Sequence, residues 1–359
     1  MPKVNDDNGD NQDNENGSLP ILTSDAPDDP APAPFAPDQM VRCDQCLRAN
    51  PPTRVNCLYC GMVLPLNETT VNLQKPALRP LEKWELGYNN ILLPPVANLT
   101  DENRAEAADL LRLSAADLAR ILSSEIPLPL ARAATIGEAT LVQRRLSNLG
   151  ISSDIMPDPD SATDAAAIKV RALEIDEAGI YAYQTPETPA VHVLWSDVLL
   201  LVVGRLIVKR VELKEQKGGR AESRILASSE FATDETVVDL YTRKQATPYR
   251  IRANSFDFSC LGKSKGLVTS ENISTLLRLL RDHAPQAAYD QSFNSVRNML
   301  EAVWPSVQQN EASGWRRERP GKYSIGSIME LSNEAQFLRY SRLRYHFQTR
   351  PRTGTDDDT

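Results

Sequence analysis

Aromatic residues make up only 6% of this 359-residue chain, and hydrophobic residues 41%. That is too little apolar material to order the whole length, so part of the chain is expected to stay unfolded. Long uncharged hydrophobic runs are also missing. The best candidate, 191–208 (VHVLWSDVLLLVVGRLIV), contains Asp197 and Arg205. Charges inside so short a run argue against a membrane span and for buried strands. The Asp/Asn-rich beginning has no apolar segment of the signal-peptide kind, so a soluble, cytoplasmic protein is expected. The three histidines, His192, His283 and His346, are far apart and have no nucleophile or metal partner near them in sequence. Gly262-Lys263-Ser264 resembles a phosphate-loop ending, but Asp257 stands where that loop needs glycine, so a surface turn is expected. No paired carboxylates, activated nucleophile or open metal site stands out, and no enzymatic activity is expected.

Net positive charge is absent too. The formal charge is −8, and residues 1–40 carry nine acids against the single base Lys3. The acidity therefore belongs to the tail, and the rest of the chain is balanced. With its Pro-rich PDDPAPAPFAPD stretch, residues 1–40 read as a disordered acidic tail.

Cysteine is scarce but concentrated. Four of the five cysteines lie in CDQCLRANPPTRVNCLYCG, residues 43–61. Cys43, Cys46, Cys57 and Cys60 form two Cys-x-x-Cys turns ten residues apart. Two such turns face to face offer four soft ligands to a tetrahedral Zn2+. Four thiolates leave no position for water, so the zinc is expected to be structural. Two disulfides or an iron–sulfur cluster are the alternatives. Reducing compartments disfavour the first, and clusters more often use other spacings. The segment resembles the short zinc ribbon of many bacterial and archaeal proteins, with Asn50-Pro51-Pro52 at that family's Asn-Pro turn and Gly61 after the last cysteine. Leu47 replaces the usual glycine after the second cysteine, and Asn56 the usual aromatic before the third. The spacing also fits the Ran-binding-protein type of finger, but Val41 stands where that type has its tryptophan.

Residues 41–64 are thus a zinc ribbon, and the Pro-containing 65–89 a linker. From 90 to 160 the pattern alternates. NILLPP reads as a strand. Thr100 and Ser114 read as N-caps of two helices, and Thr135 with Glu138 as the capping box of a third. Gly150 ends that third helix, and ISSDIMPD closes the unit as a strand. This order resembles the C-terminal domain of ribosomal protein L7/L12. The resemblance implies that fold and not the ribosomal role, because the stretch matching its lysine-rich face, LLRLSAADLARIL, has no lysine.

Residues 166–310 read as strands followed by helices. AIKVRALEI and GIYAYQ flank a turn at Asp176-Glu177-Ala178. VHVLW, LLLVVGRLIVKRVEL, SRILASS, ETVVDLYT, PYRIRA and FDFSC follow. In PYRIRA the alternation puts Tyr249, Ile251 and Ala253 inside and Arg250 and Arg252 outside. Phe256, Phe258 and Cys260 alternate likewise, making Cys260 a core thiol. Ser270 reads as cap of a helix burying Ile273, Leu276, Leu277 and Leu280. Strands closed by a helix resemble a pleckstrin-homology-like (PH-like) barrel, and VLWSDVLLLVVG resembles the Trp-Ser-Asp strand start of bacterial PH-like proteins. A further helix over 292–304 is expected to pack on it. Residues 311–359 form a basic segment, with nine Arg/Lys against three Glu over 312–352, and a disordered end.

The fold expected is multi-domain α+β: a zinc ribbon, a small L7/L12 C-terminal-like α/β domain, a PH-like β-barrel with C-terminal helix, and a disordered tail. A non-enzymatic interaction or regulatory scaffold with a protein partner follows. The alternatives are nucleic-acid binding through the ribbon and the basic segment (Trp315, Tyr340, Tyr345, Phe347), and anionic-membrane binding through Lys209, Arg210, Lys214, Lys217 and Arg220.

Overall fold

The computed structural model describes residues 35–65, 74, 76–82, 85–96, 99–158, 167–217, 223–319 and 322–350, leaving aside the side chains of 212–217, 223–229, 309–319 and 322–328. Most of the expected acidic tail, part of the linker and the end after 350 lie outside the described residues. The architecture is mixed α+β.

The ribbon begins with β1 (Val41–Arg42), antiparallel to β2 (Ala49–Asn50). Its Val63 packs against Gly137 in the next unit. That unit runs β3 (Tyr88–Leu92), α1 (Asp101–Leu111), α2 (Ala115–Leu122), β4 (Pro129–Ala133), α3 (Ile136–Asn148) and β5 (Ser153–Pro157). The three strands form an antiparallel sheet in the order β4–β3–β5. The helices start where the sequence signals them. Thr100 Oγ1 accepts from the Asn103 N–H at 3.1 Å, Ser114 Oγ from Asp117 at 3.0 Å, and Thr135 Oγ1 from Glu138 at 3.2 Å. Glu138 does not return the bond to Thr135 as a capping box would. Its buried carboxylate accepts from the N–H of Ala134 (3.1 Å) and of Leu78 (2.7 Å), and so ties the linker to the start of α3.

AIKVRALEI breaks at Arg171 into two strands that serve different sheets. β6 (Ile168–Val170) later joins the large sheet, while β7 (Ala172–Ile175), β8 (Gly179–Tyr183) and β9 (Val191–Leu194) form a three-stranded one. β10 (Val198–Lys217) and β11 (Ser223–Thr242) follow as 20-residue partners. SRILASS and ETVVDLYT, expected as separate strands, are thus one. β12 (Tyr249–Arg252) pairs with β11 and, in parallel, with β6. FDFSC is not a strand. Phe258–Ser264 is a 3-10 turn that buries Phe258 and Leu261 beneath α4 (Thr269–His283). Hydrophobic alternation over so few residues suits such a turn as well as a strand. Ser270 lies inside α4, whose first residue follows Val268 without a side-chain cap.

β13 (Ala288–Asp290), α5 (Phe293–Leu300), β14 (Val307–Arg319), β15 (Lys322–Ser332) and α6 (Glu334–Thr349) complete the element order. The large sheet runs β14–β15–β10–β11–β12–β6, with β13 also beside β10. β13 covers Leu200–Val202 of β10 and β15 covers Val208–Lys217. Side-chain amides bridge the gap: Asn294 Oδ1 accepts from Arg205 N (2.9 Å), and Asn333 Oδ1 from Ile207 N (2.8 Å). The hairpin β14–β15 and α6 thus take up most of the expected basic segment.

Both faces of this sheet are buried where β10 runs over 198–204 and β11 over 237–242, whereas Lys209, Arg210 and 230–234 are exposed. Leu201, Val203, Val238, Leu240, Tyr249 and Ile251 face one core, shared with β7–β9 and α4. Leu200, Val202, Leu206, Val237 and Tyr241 face a second, shared with α5, α6 and the β3–β5 unit. The helix expected over 292–304 is the shorter α5, and it packs between that unit and the sheet. Gly204 allows the approach, since a Cβ there would lie 2.5 Å from Phe337 of α6. Contacts across the seam are polar as well: Trp304 Nε1 donates to Asn89 Oδ1 at 2.8 Å, and Arg339 of α6 pairs with Asp158, which Arg132 holds from within the unit.

Two-sided burial overturns the expected outward Arg250. It is only 6% exposed, and its Nε and Nη2 reach the fully buried Asp239 at 2.7 and 2.8 Å. Ser341 of α6 donates to the same carboxylate at 2.7 Å, and Tyr241 meets Ser341 at 3.0 Å. Burial works against the Arg250 charge, but Asp239 outweighs it and raises its pKa. Removing one partner leaves the other buried and unpaired. Asp239→Ala is therefore expected to cost about 3–5 kcal/mol, and Ser341→Ala only about 1 kcal/mol, by urea unfolding. Equal losses would mean that the pair is not the centre of this network.

Candidate metal centre

The sulfurs of Cys43, Cys46, Cys57 and Cys60 all lie within 4.8 Å of one another. Cys43 Sγ is 3.6 Å from Cys60 Sγ, and Cys46 Sγ 3.5 Å from Cys57 Sγ. A tetrahedron with zinc–sulfur bonds of about 2.3 Å has edges of about 3.8 Å. The four thiols are free of disulfides and sit close to that spacing. Donor type, number and separation all fit a zinc-ribbon-like site.

Local backbone builds the two knuckles alike. The Leu47 N–H returns to Cys43 O at 2.8 Å, and the Gly61 N–H to Cys57 O at 3.0 Å. Both closing residues are left-handed, with φ of 58° at Leu47 and 75° at Gly61. Glycine adopts this freely, whereas a residue with a Cβ is strained. Asn50, fully buried, locks the knuckles together. Its Nδ2 donates to Arg48 O (2.9 Å) and approaches Cys57 Sγ (3.5 Å), and its Oδ1 accepts from Leu58 N (2.8 Å). Sequence spacing marked Asn50 as a turn residue and gave no sign of this bridging role.

The thiols differ in acidity. Burial pushes Cys57 up, but backbone N–H groups of Tyr59 and Cys60, with Cys46 and Asn50, bring it down to about 6. At Cys60 the Met62 N–H pulls downward, yet burial and the three neighbouring thiols carry it up to about 12. Thiols this close cannot all ionise together without a cation among them. A divalent metal would supply that charge, and the four sulfurs would fill its tetrahedron.

The other singled-out residues do not gather here. Trp195 is buried, its Nε1 donating to Asp176 O at 3.0 Å. His192 stacks on Tyr181 with ring centroids 4.4 Å apart, and His283 lies 4.9 Å from Trp195. Cys260 is half-buried, and burial raises its thiol to about 11. Gly262 is an exposed turn residue. Tyr340 is fully buried and Tyr345 stacks on Tyr241 at 4.6 Å, so both serve the core. Among the described residues no helix is long and apolar enough to cross a membrane. No family model, curated protein or solved structure matches the chain.

Two substitutions separate strain from support. Leu47 is 66% exposed, so Leu47→Gly loses little packing and relieves about 1 kcal/mol of backbone strain. Chelator competition is expected to show zinc held about fivefold more tightly. Asn50→Ala is expected to weaken it about tenfold or more, as loss of a ligand-orienting neighbour does.

Proposed function

We propose that this chain is a zinc-binding, non-enzymatic interaction or regulatory protein of the cytoplasm. The observation that carries the reading is the four-sulfur cluster, enough donors to fill a tetrahedron, set in a segment too small to hold a core. Zinc there contributes folding free energy, on the order of 10 kcal/mol. Free thiols suit a reducing compartment. Leu47, Leu58, Tyr59 and Met62 stand exposed around the knuckles, apolar surface of the kind that meets protein partners.

Two further readings of the fold belong to this proposal. The order β3–α1–α2–β4–α3–β5 supports the L7/L12 C-terminal-like reading of residues 90–160. The two sheets that share a core closed by α4 support the PH-like reading of residues 166–310. Each supplies a scaffold and surface.

Nucleic-acid binding is the second reading. It has one observation in its favour: Arg48 lies over the exposed Tyr59 ring at 4.7 Å, a cation and a stacking surface together. Against it, Arg339, Arg344 and Arg350 of the basic segment are paired with Asp158, Asp290 and Asp154.

Protein purified under reducing conditions is expected to retain about one zinc per chain, and Cys43→Ser to lose both the metal and the ordered ribbon. Full zinc content and unchanged stability in Cys43→Ser would sink the metal reading. Mixed-sequence RNA at low salt tests the second reading. It requires binding that falls steeply with salt and about fivefold or more in Tyr59→Ala.

A further inference from the structure

Arg250 and Arg252 of β12 share one face of the large sheet with Asp239 of β11. β6 lies on their other side, with Lys169 beside Arg250, and Arg171 directly follows that strand. These four cations line a cavity of about 260 Å³, together with Glu235 and Ser255. It lies near the start of α6, on the side of the sheet away from the core shared with β7–β9 and α4.

The carboxylates nearby are not equally committed. Asp239 is taken up by Arg250 Nε and Nη2 and by Ser341. Glu235 has one oxygen on Arg252 Nε at 2.8 Å and the other on the Asn254 N–H at 2.9 Å. The Nη1 atoms of both arginines remain, and they reach the same Glu334 oxygen at 3.4 and 3.7 Å. Those contacts are long for charged partners, and the Glu334 side chain is half exposed. Lys169 and Arg171 are exposed and without an ion pair among the described residues, though Arg171 Nη1 reaches Ser255 O at 3.5 Å. A network built only to neutralise Asp239 and Glu235 needs neither of them. Four cations thus stand against three carboxylates, one of which is loosely held. With Glu334 turned to water the surplus is two positive charges.

We propose that this pocket binds a phosphate monoester. Lys169 and Arg171 hold it from the rim, and the Nη1 atoms of Arg250 and Arg252 donate to it from the sheet. A monoester carries about −1.5 to −2 charge near pH 7, which matches the surplus, and its three outer oxygens suit donors converging from two strands. Arg250 is only 6% exposed and fixed by Asp239, so its remaining donor is held in place before any ligand arrives. Glu334 is the built-in competitor, because it occupies the same two donors until the phosphate displaces it.

This inference is independent of the metal reading, and zinc content is measured alongside. Full-length, zinc-loaded protein is titrated calorimetrically with glycerol 3-phosphate, in low-salt buffer free of phosphate and sulfate. Phosphatidylcholine vesicles with and without phosphatidic acid run in parallel, since a lipid headgroup presents the same group. One-site binding is expected. Lys169→Gln and Arg171→Gln are each expected to weaken it about fivefold or more, and Glu334→Gln to tighten it about fivefold, with melting temperature unchanged. Should Arg171→Gln disturb the contact with Ser255, Lys169→Gln decides, because that side chain has no hydrogen bond or ion pair among the described residues. Binding of the ester marks a soluble ligand and binding of the vesicles alone a headgroup, and either supports the pocket if Lys169→Gln weakens it. No binding to either probe, binding indifferent to Lys169→Gln, or no gain in Glu334→Gln would overturn the proposal.

Discussion

The buried ion pair of Asp239 and Arg250 is the condition on which the arrangement of the large sheet depends. A carboxylate with no exposure is tolerable only with a bidentate cation and further donors. Arg250 supplies the cation from the adjacent strand, and Ser341 supplies a donor from α6. Apolar contacts on that face would accept several helix positions. The fixed geometry of a guanidinium and a hydroxyl on one carboxylate accepts far fewer. Phe337, stacked between Arg250 and Gly204, then sets how near α6 can lie.

From this follows the division of labour along β10 and β11. Alternate residues belong to different cores, so a slip of one position would exchange them. Side-chain amides of Asn294 and Asn333 hold β10 where its two edge partners leave a gap. The β3–β5 unit is joined to the same body by Trp304 and Arg339, while the ribbon is joined to that unit by Val63 and the linker by Glu138. The four-sulfur site and the large sheet therefore lie at opposite ends of a continuous series of contacts.

The sequence showed most clearly what is local. Four cysteines at fixed spacing announced their cluster, and Thr100, Ser114 and Thr135 announced helix starts that need only neighbouring N–H groups. Long-range relations were hidden. PYRIRA has the alternation of a strand with one wet face, and nothing within it shows that α6 covers that face from far along the chain. The same holds for Glu138, whose capping-box spacing was genuine but whose second oxygen serves Leu78. FDFSC failed for another reason, since a few alternating apolar residues bury equally well in a 3-10 turn. Asn50 was visible as a turn former, but its bond to the second knuckle exists only once the knuckles meet.

The spacing of the central network has a consequence for the order of assembly. Asp239 and Arg250 are 11 residues apart, whereas Ser341 follows Asp239 by 102. At translation rates of about 5–20 residues per second, that interval lasts on the order of 5–20 s. The strand pair can neutralise the aspartate almost at once, while the apolar side of the sheet waits for its helix. For those seconds Leu200, Val202 and Val237 offer a nascent-chain surface that only chaperone holding or rapid docking of the β3–β5 unit would shield. The early ion pair thus leaves a charged, hydrated mark in the middle of that surface, which discourages wrong apolar partners until the right serine arrives.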